Sequence, residues 1–287
     1  MTSIVLAKRA LAITLTLLSA PLVAHAQGGP ALPLWELGAI GMGVAQQAYP
    51  GSAARVDRWL VLPFLVYRGR ILRVDRESAG LRALKTSAFE LDLGVAGAFG
   101  AHSSDIAARR GMPDLGTLVE IGPRLKWRLG AESKTRPWRA EFPLRGVFDL
   151  NDHLAHKGLA FEPTLLFEPS ARGGWATRVN FGAVIGDRRL NDAFYGVAPS
   201  ESTAQRPAYN ARAGLIAWRL GSAISYRVTP NLRLFGFARL DSVAGAANNA
   251  SPLVDRRTGL SAGLGLNITL KRSSHGAVDD GAMPPPP

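Results

Sequence analysis

The residues able to do acid–base or metal chemistry in this chain are few, and they fall in polar segments. Beyond residue 26 it holds four histidines, His102, His153, His156 and His275. His153 and His156 are three apart beside Asp152, the spacing of two metal ligands on a helical turn, but two such residues in a polar loop arise readily by chance. His102-Ser103-Ser104-Asp105 sets a base, two hydroxyls and an acid side by side. A hydrolytic triad needs a nucleophile held by the base and a base oriented by the acid. Neighbours along one loop do not meet that requirement. No glycine-rich loop leads from a strand into a helix, so nucleotide binding has no carrier. Cysteine is absent, which excludes thiol and zinc–thiolate chemistry. The chain reads as a non-enzyme with no cofactor and no metal.

The charged residues say more, because of their period. Arg124, Lys126 and Arg128 alternate with Leu125, Trp127 and Leu129, and Arg139 and Glu141 alternate with Trp138, Ala140 and Phe142. Arg178 and Asn180 alternate with Thr177, Val179 and Phe181, and Glu90 and Asp92 with Phe89, Leu91 and Leu93. The last such run sets Leu260, Ala262, Leu264, Leu266, Ile268 and Leu270 against Ser261, Gly263, Gly265, Asn267 and Thr269. A period of two is a strand with one apolar and one polar face. When nearly every strand has it and no helix covers the sheet, the simplest structure is a closed barrel in lipid. Arg124, Lys126, Arg128, Arg139, Glu141 and Arg178 then face the lumen, where both signs are present to form crossed ion pairs. The tryptophans fall mostly near strand ends, where a girdle would lie.

The expected architecture is an all-β, antiparallel transmembrane barrel of twelve strands, with ten as the alternative. The strands are placed at 34–45, 57–67, 69–76, 81–86, 88–99, 117–130, 137–149, 159–168, 174–187, 210–228, 231–242 and 258–270. Short connections then alternate with long ones at 46–56, 100–116, 150–158, 188–209 and 243–257, as inner turns and outer loops should. Residues 1–26 form an export signal: Lys8-Arg9, an apolar stretch from Ala10 to Val23, and Ala24-His25-Ala26 for cleavage. Residues 27–270 are the barrel, and 271–287, ending in four prolines, a disordered periplasmic tail. The formal charge is +12, or +10 without the two bases of the signal. Nucleic acid is not the implied partner, because the arginines alternate along strands instead of clustering. An anion-favouring lumen and contacts to lipopolysaccharide phosphates at the rims account for the charge.

Short motifs support a family resemblance. They are Tyr49-Pro50-Gly51-Ser52, Leu62-Pro63, Tyr67-Arg68-Gly69, Phe194-Tyr195-Gly196-Val197, Ser225-Tyr226-Arg227 and Ser251-Pro252-Leu253-Val254-Asp255. In this order and spacing the chain resembles the MipA/OmpV family of outer-membrane proteins, MltA-interacting protein and its relatives, over essentially the whole mature length. The final strand also resembles the signal read by the barrel-assembly machinery, in Ser261, Gly263, Leu266 and Ile268, although Leu270 stands where an aromatic is usual. The resemblance implies a scaffold joining a lytic transglycosylase to a penicillin-binding synthase, or else a narrow channel, adhesin or uptake protein. Read as residues, the motifs imply turns and loop architecture. Tyr49-Pro50-Gly51-Ser52 shapes the first long loop, Phe194 and Tyr195 fold inward to narrow the pore, and Asp255 pairs with Arg256, Arg257 or a neighbouring loop.

Overall fold

The computed structural model describes residues 33–68, 72–74, 79–81, 84–86, 88–130 and 137–276. The expected signal at 1–26 and the tail beyond Gly276 lie outside the described residues. The long strands are β1 (Trp35–Gln47), β2 (Arg55–Arg68), β6 (Phe89–Ala98), β7 (Leu118–Arg128), β8 (Trp138–Asp149), β11 (Trp175–Gly186), β12 (Gly214–Arg227), β13 (Leu232–Ser242) and β14 (Thr258–Arg272). Shorter ones are β3 (Leu72–Val74), β4 (Ala79–Leu81), β5 (Leu84–Lys85), β9 (Ala155–Phe161) and β10 (Thr164–Phe167). All pair antiparallel in one sheet of order β4-β3-β2-β1-β14-β13-β12-β11-β10-β8-β7-β6-β5, with β9 also between β8 and β11. The first and last long strands therefore lie side by side. The two ends of the order, β4 and β5, are neighbours in the chain.

Fourteen strand segments stand among the described residues where twelve strands were expected. The strand expected at 159–168 is broken at Glu162-Pro163, because proline has no N–H for the ladder. Its first half starts early, at Ala155, through a bulge at which Val147 pairs with Gly158 but Phe148 with His156. Gly158 has φ 129°, and a side chain there would strike Asp187 and Leu190. Of the strand expected at 81–86, the described residues place Leu81 at the end of β4 and Leu84–Lys85 in β5. The strand expected at 210–228 begins only at Gly214. The loop expected at 188–209 contains a helix, α1 (Arg188–Tyr195), capped by Asp187 Oδ1, which accepts the Leu190 N–H at 2.8 Å. The last strand does not stop at Leu270. It runs to Arg272, and Ser273 N–H then donates to Trp35 O at 2.9 Å, while Leu34 N–H donates to His275 O. Residues 271–276, expected in a free tail, are thus paired to the start of the chain's first strand.

The sheet curls around its polar face. Outside, Trp59 is 88% exposed, Leu264 76% and Val61 74%, whereas Asp241 and Ser261 inside are 2% and 1% exposed. This inverts the usual placement of apolar and charged side chains. β1 and β2 depart from the alternation: Ile40, Val44, Leu60, Leu62 and Val66 are apolar and buried on the inner face as well. The main apolar core sits at the end with the long connections, where Tyr49, Ile106, Leu190, Tyr195, Ile216 and Leu253 pack together.

Aromatic residues on the outer face form two rows. Phe89 stacks on Trp127, Trp138 meets Phe167, and Trp175 meets Tyr226 near the short connections, whereas Phe181 stacks on Trp218 near the long ones. The register gives the tilt of these rows. Tyr226 is linked by successive pairings to Leu234, Leu266, Gly41 and Val61, while the outward aromatic nearest the short-connection end of β2 is Tyr67, six residues further along. Six residues of rise over four strand spacings is a strand tilt of about 45°. Trp218 and Trp59 precede Tyr226 and Tyr67 by the same eight residues, so the two rows run parallel, about 20 Å apart at that tilt.

Candidate functional site

Inside the sheet, antiparallel pairing sets acids against bases. Asp92 lies opposite Arg124 and Glu90 opposite Lys126. Arg124 grips Asp92 with two nitrogens, Nε to Oδ1 at 3.0 Å and Nη2 to Oδ2 at 2.8 Å. Lys126 Nζ reaches Asp92 at 2.9 Å, and Arg128 reaches Glu90 at 3.1 Å. Arg139 bridges Glu141 at 2.8 Å and Glu168 at 3.0 Å, and Glu168 also pairs with Arg178. Arg124 closes the chain to Glu141 at 3.7 Å. All six residues expected to face a lumen therefore belong to one connected series of ion pairs.

A second series has members that the period-two reading does not single out. Arg145 holds Glu120 at 2.6 Å and Glu162 at 2.9 Å, Arg219 holds Glu162 at 3.3 Å and Asp241 at 2.9 Å, and Arg239 meets Asp241 at 3.1 Å. Glu162 escapes notice because it sits at the break between β9 and β10. Arg239 and Asp241 carry a usable signal, since they alternate with Ala238, Leu240 and Ser242 on β13.

Above these pairs the long connections interlock as a cap, and three of the motifs, 49–52, 194–197 and 251–255, up to about two hundred residues apart in sequence, meet there. Tyr49 donates its hydroxyl to Leu253 O at 2.8 Å, and Tyr195 donates to Pro50 O at 2.9 Å. Gly51, at φ 92°, turns its carbonyl to accept both the Asp255 and Arg256 N–H groups. Ser52 O accepts from the Gln47 amide at 2.8 Å, and Ser251 Oγ donates to Tyr195 O at 2.7 Å. Gly196 ends α1, Val197 pairs with Tyr209, and Pro252 stands beside the fully buried Leu253. Asp255 accepts from Ala53 N–H at 3.3 Å, so its partner is the neighbouring loop and not an adjacent arginine. Asn191 and Asn248, both fully buried, join α1 to the 243–257 connection at 2.8 Å.

Phe194 stacks on Tyr49 at 6.5 Å and divides the enclosed space. Below it lies a chamber of about 260 Å³ bounded by Arg124, Arg145, Arg178, Arg219 and their acids. On its other side is a vestibule of about 460 Å³ lined by Arg109, Asp114, Asp192, Glu201 and Tyr209. The Arg109 guanidinium lies 5.9 Å from the Tyr49 ring centre. Burial pushes the Tyr49 phenol up to about 12 and raises Tyr195 further, so both remain neutral donors, while burial pulls Arg109 below the usual guanidinium range. The histidines are engaged separately. His102 Nδ1 meets Asp114 at 2.7 Å, His156 packs against Phe148, and Asp152, beside His153, pairs with Lys157.

Residues 38–270 match the family model described as MltA-interacting protein MipA. No curated protein matches the chain. Among solved structures it is similar to the NanC porin, at 10% identity over 83% of this chain and 100% of that one, TM-score 0.38. It is similar also to a bacterial polysaccharide outer membrane secretin, at 10% identity over 84% and 100%, TM-score 0.39. A third is a Pseudomonas aeruginosa FadL homologue, at 8% identity over 83% and 90%, TM-score 0.30.

Proposed function

Because the chain belongs to the MltA-interacting protein MipA family, we propose that it is an outer-membrane β-barrel, closed to bulk flow, that holds murein-processing enzymes at that membrane. The observation that carries the membrane reading is the inverted surface: Trp59, Val61 and Leu264 face outward while two series of ion pairs fill the inside. In water such a surface is an aggregation hazard, whereas in lipid it is the required one. Two parallel aromatic rows about 20 Å apart suit the borders of an apolar band. Counting β4 with β5 and β9 with β10 as single staves gives twelve, and the stave β4–β5 pairs to β3 on one side and β6 on the other. Export through the 1–26 signal and assembly from the final strand belong to the same reading.

Closure to flow is supported by the cross-linked interior and by Phe194 between the two cavities. The scaffold role rests on the family description, with a lytic transglycosylase as first partner and a penicillin-binding synthase as second. The rim that carries the chain's paired ends exposes Arg172, Arg227, Lys271 and Arg272, a basic border for an acidic partner or for lipid phosphates. Purified protein in planar bilayers is expected to be silent, and immobilised protein to retain a lytic transglycosylase. Joint Arg172→Glu, Arg227→Glu and Arg272→Glu substitution is expected to abolish retention. Steady, large conductance would favour a diffusion channel, and absence of retention would refute the scaffold.

A further inference from the structure

Arg109 differs from every arginine of the interior series. Arg124, Arg139, Arg145, Arg219 and Arg239 each have a carboxylate oxygen within 3.1 Å. Arg109 is equally enclosed, at 4% exposure, yet among the described residues no carboxylate lies within ion-pair distance of it. Its Nη1 donates to Phe194 O at 3.2 Å, its Nη2 reaches Pro113 O only at 3.5 Å, and its Nε has no acceptor among the described residues. A buried charge with only carbonyls and a ring face for company is costly to keep. The downward pull on its ionisation expresses the same deficit.

Arg109 lines the vestibule of about 460 Å³, within the ordinary range for small-ligand sites. Four carboxylates line the same space. Asp114 is engaged by His102 and by the Ser103 N–H, and Asp149 by Lys157 and by the Asn151 N–H. Asp192 is exposed and without a side-chain partner among the described residues, and Glu201 accepts only the Ala198 N–H, at 3.1 Å. The other cation there, Lys157, is already held by Asp149 and Asp152. Phe194 and Tyr209 supply apolar wall. The vestibule thus offers one uncompensated cation in depth, free acids nearby and aromatic surface between.

We propose that the vestibule binds a small zwitterion, an amino acid or short peptide, with its carboxylate on Arg109 and its ammonium toward Asp192 and Glu201. Arg109 can then make the charge-assisted bonds it lacks. The site stands whether or not the protein is a scaffold or conducts, because it is a property of the cap alone.

The test is calorimetric titration of the full chain folded in detergent, using alanyl-alanine, its C-terminal amide and its N-acetyl form. Alanyl-alanine is expected to bind, the amide to bind at least about tenfold more weakly, and the acetylated form to lose less. Arg109→Gln should reproduce the loss with the free dipeptide and Arg109→Lys recover part of it, while Asp57→Asn, exposed on β2 and outside the vestibule lining, leaves binding unchanged. Heat-modifiable gel mobility reports that each variant is folded. Should Arg109→Gln fail to fold, Asp192→Asn decides, since it should weaken alanyl-alanine and spare the acetylated form. No heat with any ligand, or equal binding of acid and amide, would overturn the proposal.

Discussion

Leu264 is the place to test whether the exposed apolar face meets lipid. It lies on β14, two strand steps from β12 and two from β2, and the aromatic rows fix its depth. Halfway between Trp218 and Tyr226 is Ser222, and halfway between Trp59 and Tyr67 is Pro63. Carrying the tilt of about 45° across β13 places the midplane on β14 at Gly265, with the outward side chain of Leu264 one residue away. Leu260 and Leu270 lie five residues to either side of Gly265, about 12 Å above and below, at the level of the rows or just beyond. Arginine at the centre of a barrel's lipid face costs about 2–4 kcal/mol, falling to about 0–1 kcal/mol near the interfaces. Leu264→Arg should therefore lower stability by about 3 kcal/mol, about 150-fold in the folding equilibrium, while Leu260→Arg and Leu270→Arg cost less than about 1 kcal/mol. The assay is urea unfolding of vesicle-inserted protein followed by tryptophan fluorescence, with the three variants side by side. On a water-exposed sheet the same changes would each fall within about 0.5 kcal/mol of zero. A flat profile across the three depths would refute the lipid assignment and with it the barrel in a membrane.

Two further outcomes follow from the interior and the cap. Arg145→Gln leaves Glu120 without the one base that forms an ion pair with it among the described residues, while Glu162 keeps Arg219, so a loss of about 3 kcal/mol is expected from one orphaned buried charge. Adding Glu120→Gln should recover a large part of it in the same urea assay, and strictly additive losses would show that the pair is not coupled. At alkaline pH, Tyr49 is raised by burial from 10.0 to about 12, so the folded cap holds its proton more tightly than the unfolded chain. Its contribution is complete below pH 10 and is lost as pH rises through about 12. Tyr49→Phe should then remove tyrosinate absorbance only from the late phase of a titration, and loss from the phase near pH 10 would contradict the buried hydroxyl.

Much of the sheet was legible because a strand's period of two separates faces without reference to any partner. Leu260 to Leu270 and Arg124 to Arg128 declare their faces from sequence alone, and those faces are the ones observed. The helix α1 was missed although Asp187 is a good N-cap and Leu190, Asn191, Phe194 and Tyr195 follow a helical spacing. Eight residues between two strong strands are easily read as loop. The inner face of β1 and β2 was illegible for another reason. A strand apolar on both faces has no alternation, so the sequence does not say which side Ile40 and Leu60 take.

What the sequence determined by itself was local: strand faces, the signs of charge on them, the turns, and motifs that mark a family. What only the tertiary structure decided was which distant groups meet. Tyr49 and Leu253, Tyr195 and Pro50, and Glu162 and Arg219 are joined by the curl of the sheet, and no periodicity encodes such a closure. The same holds for Arg109. Its neighbours in sequence mark it as an ordinary loop arginine, and only the folding of four connections over one another removes it from water without bringing a carboxylate of the described residues to ion-pair distance. Burial depends on everything that packs around a side chain, whereas alternation depends on the backbone of one strand, and that difference set the boundary between the two.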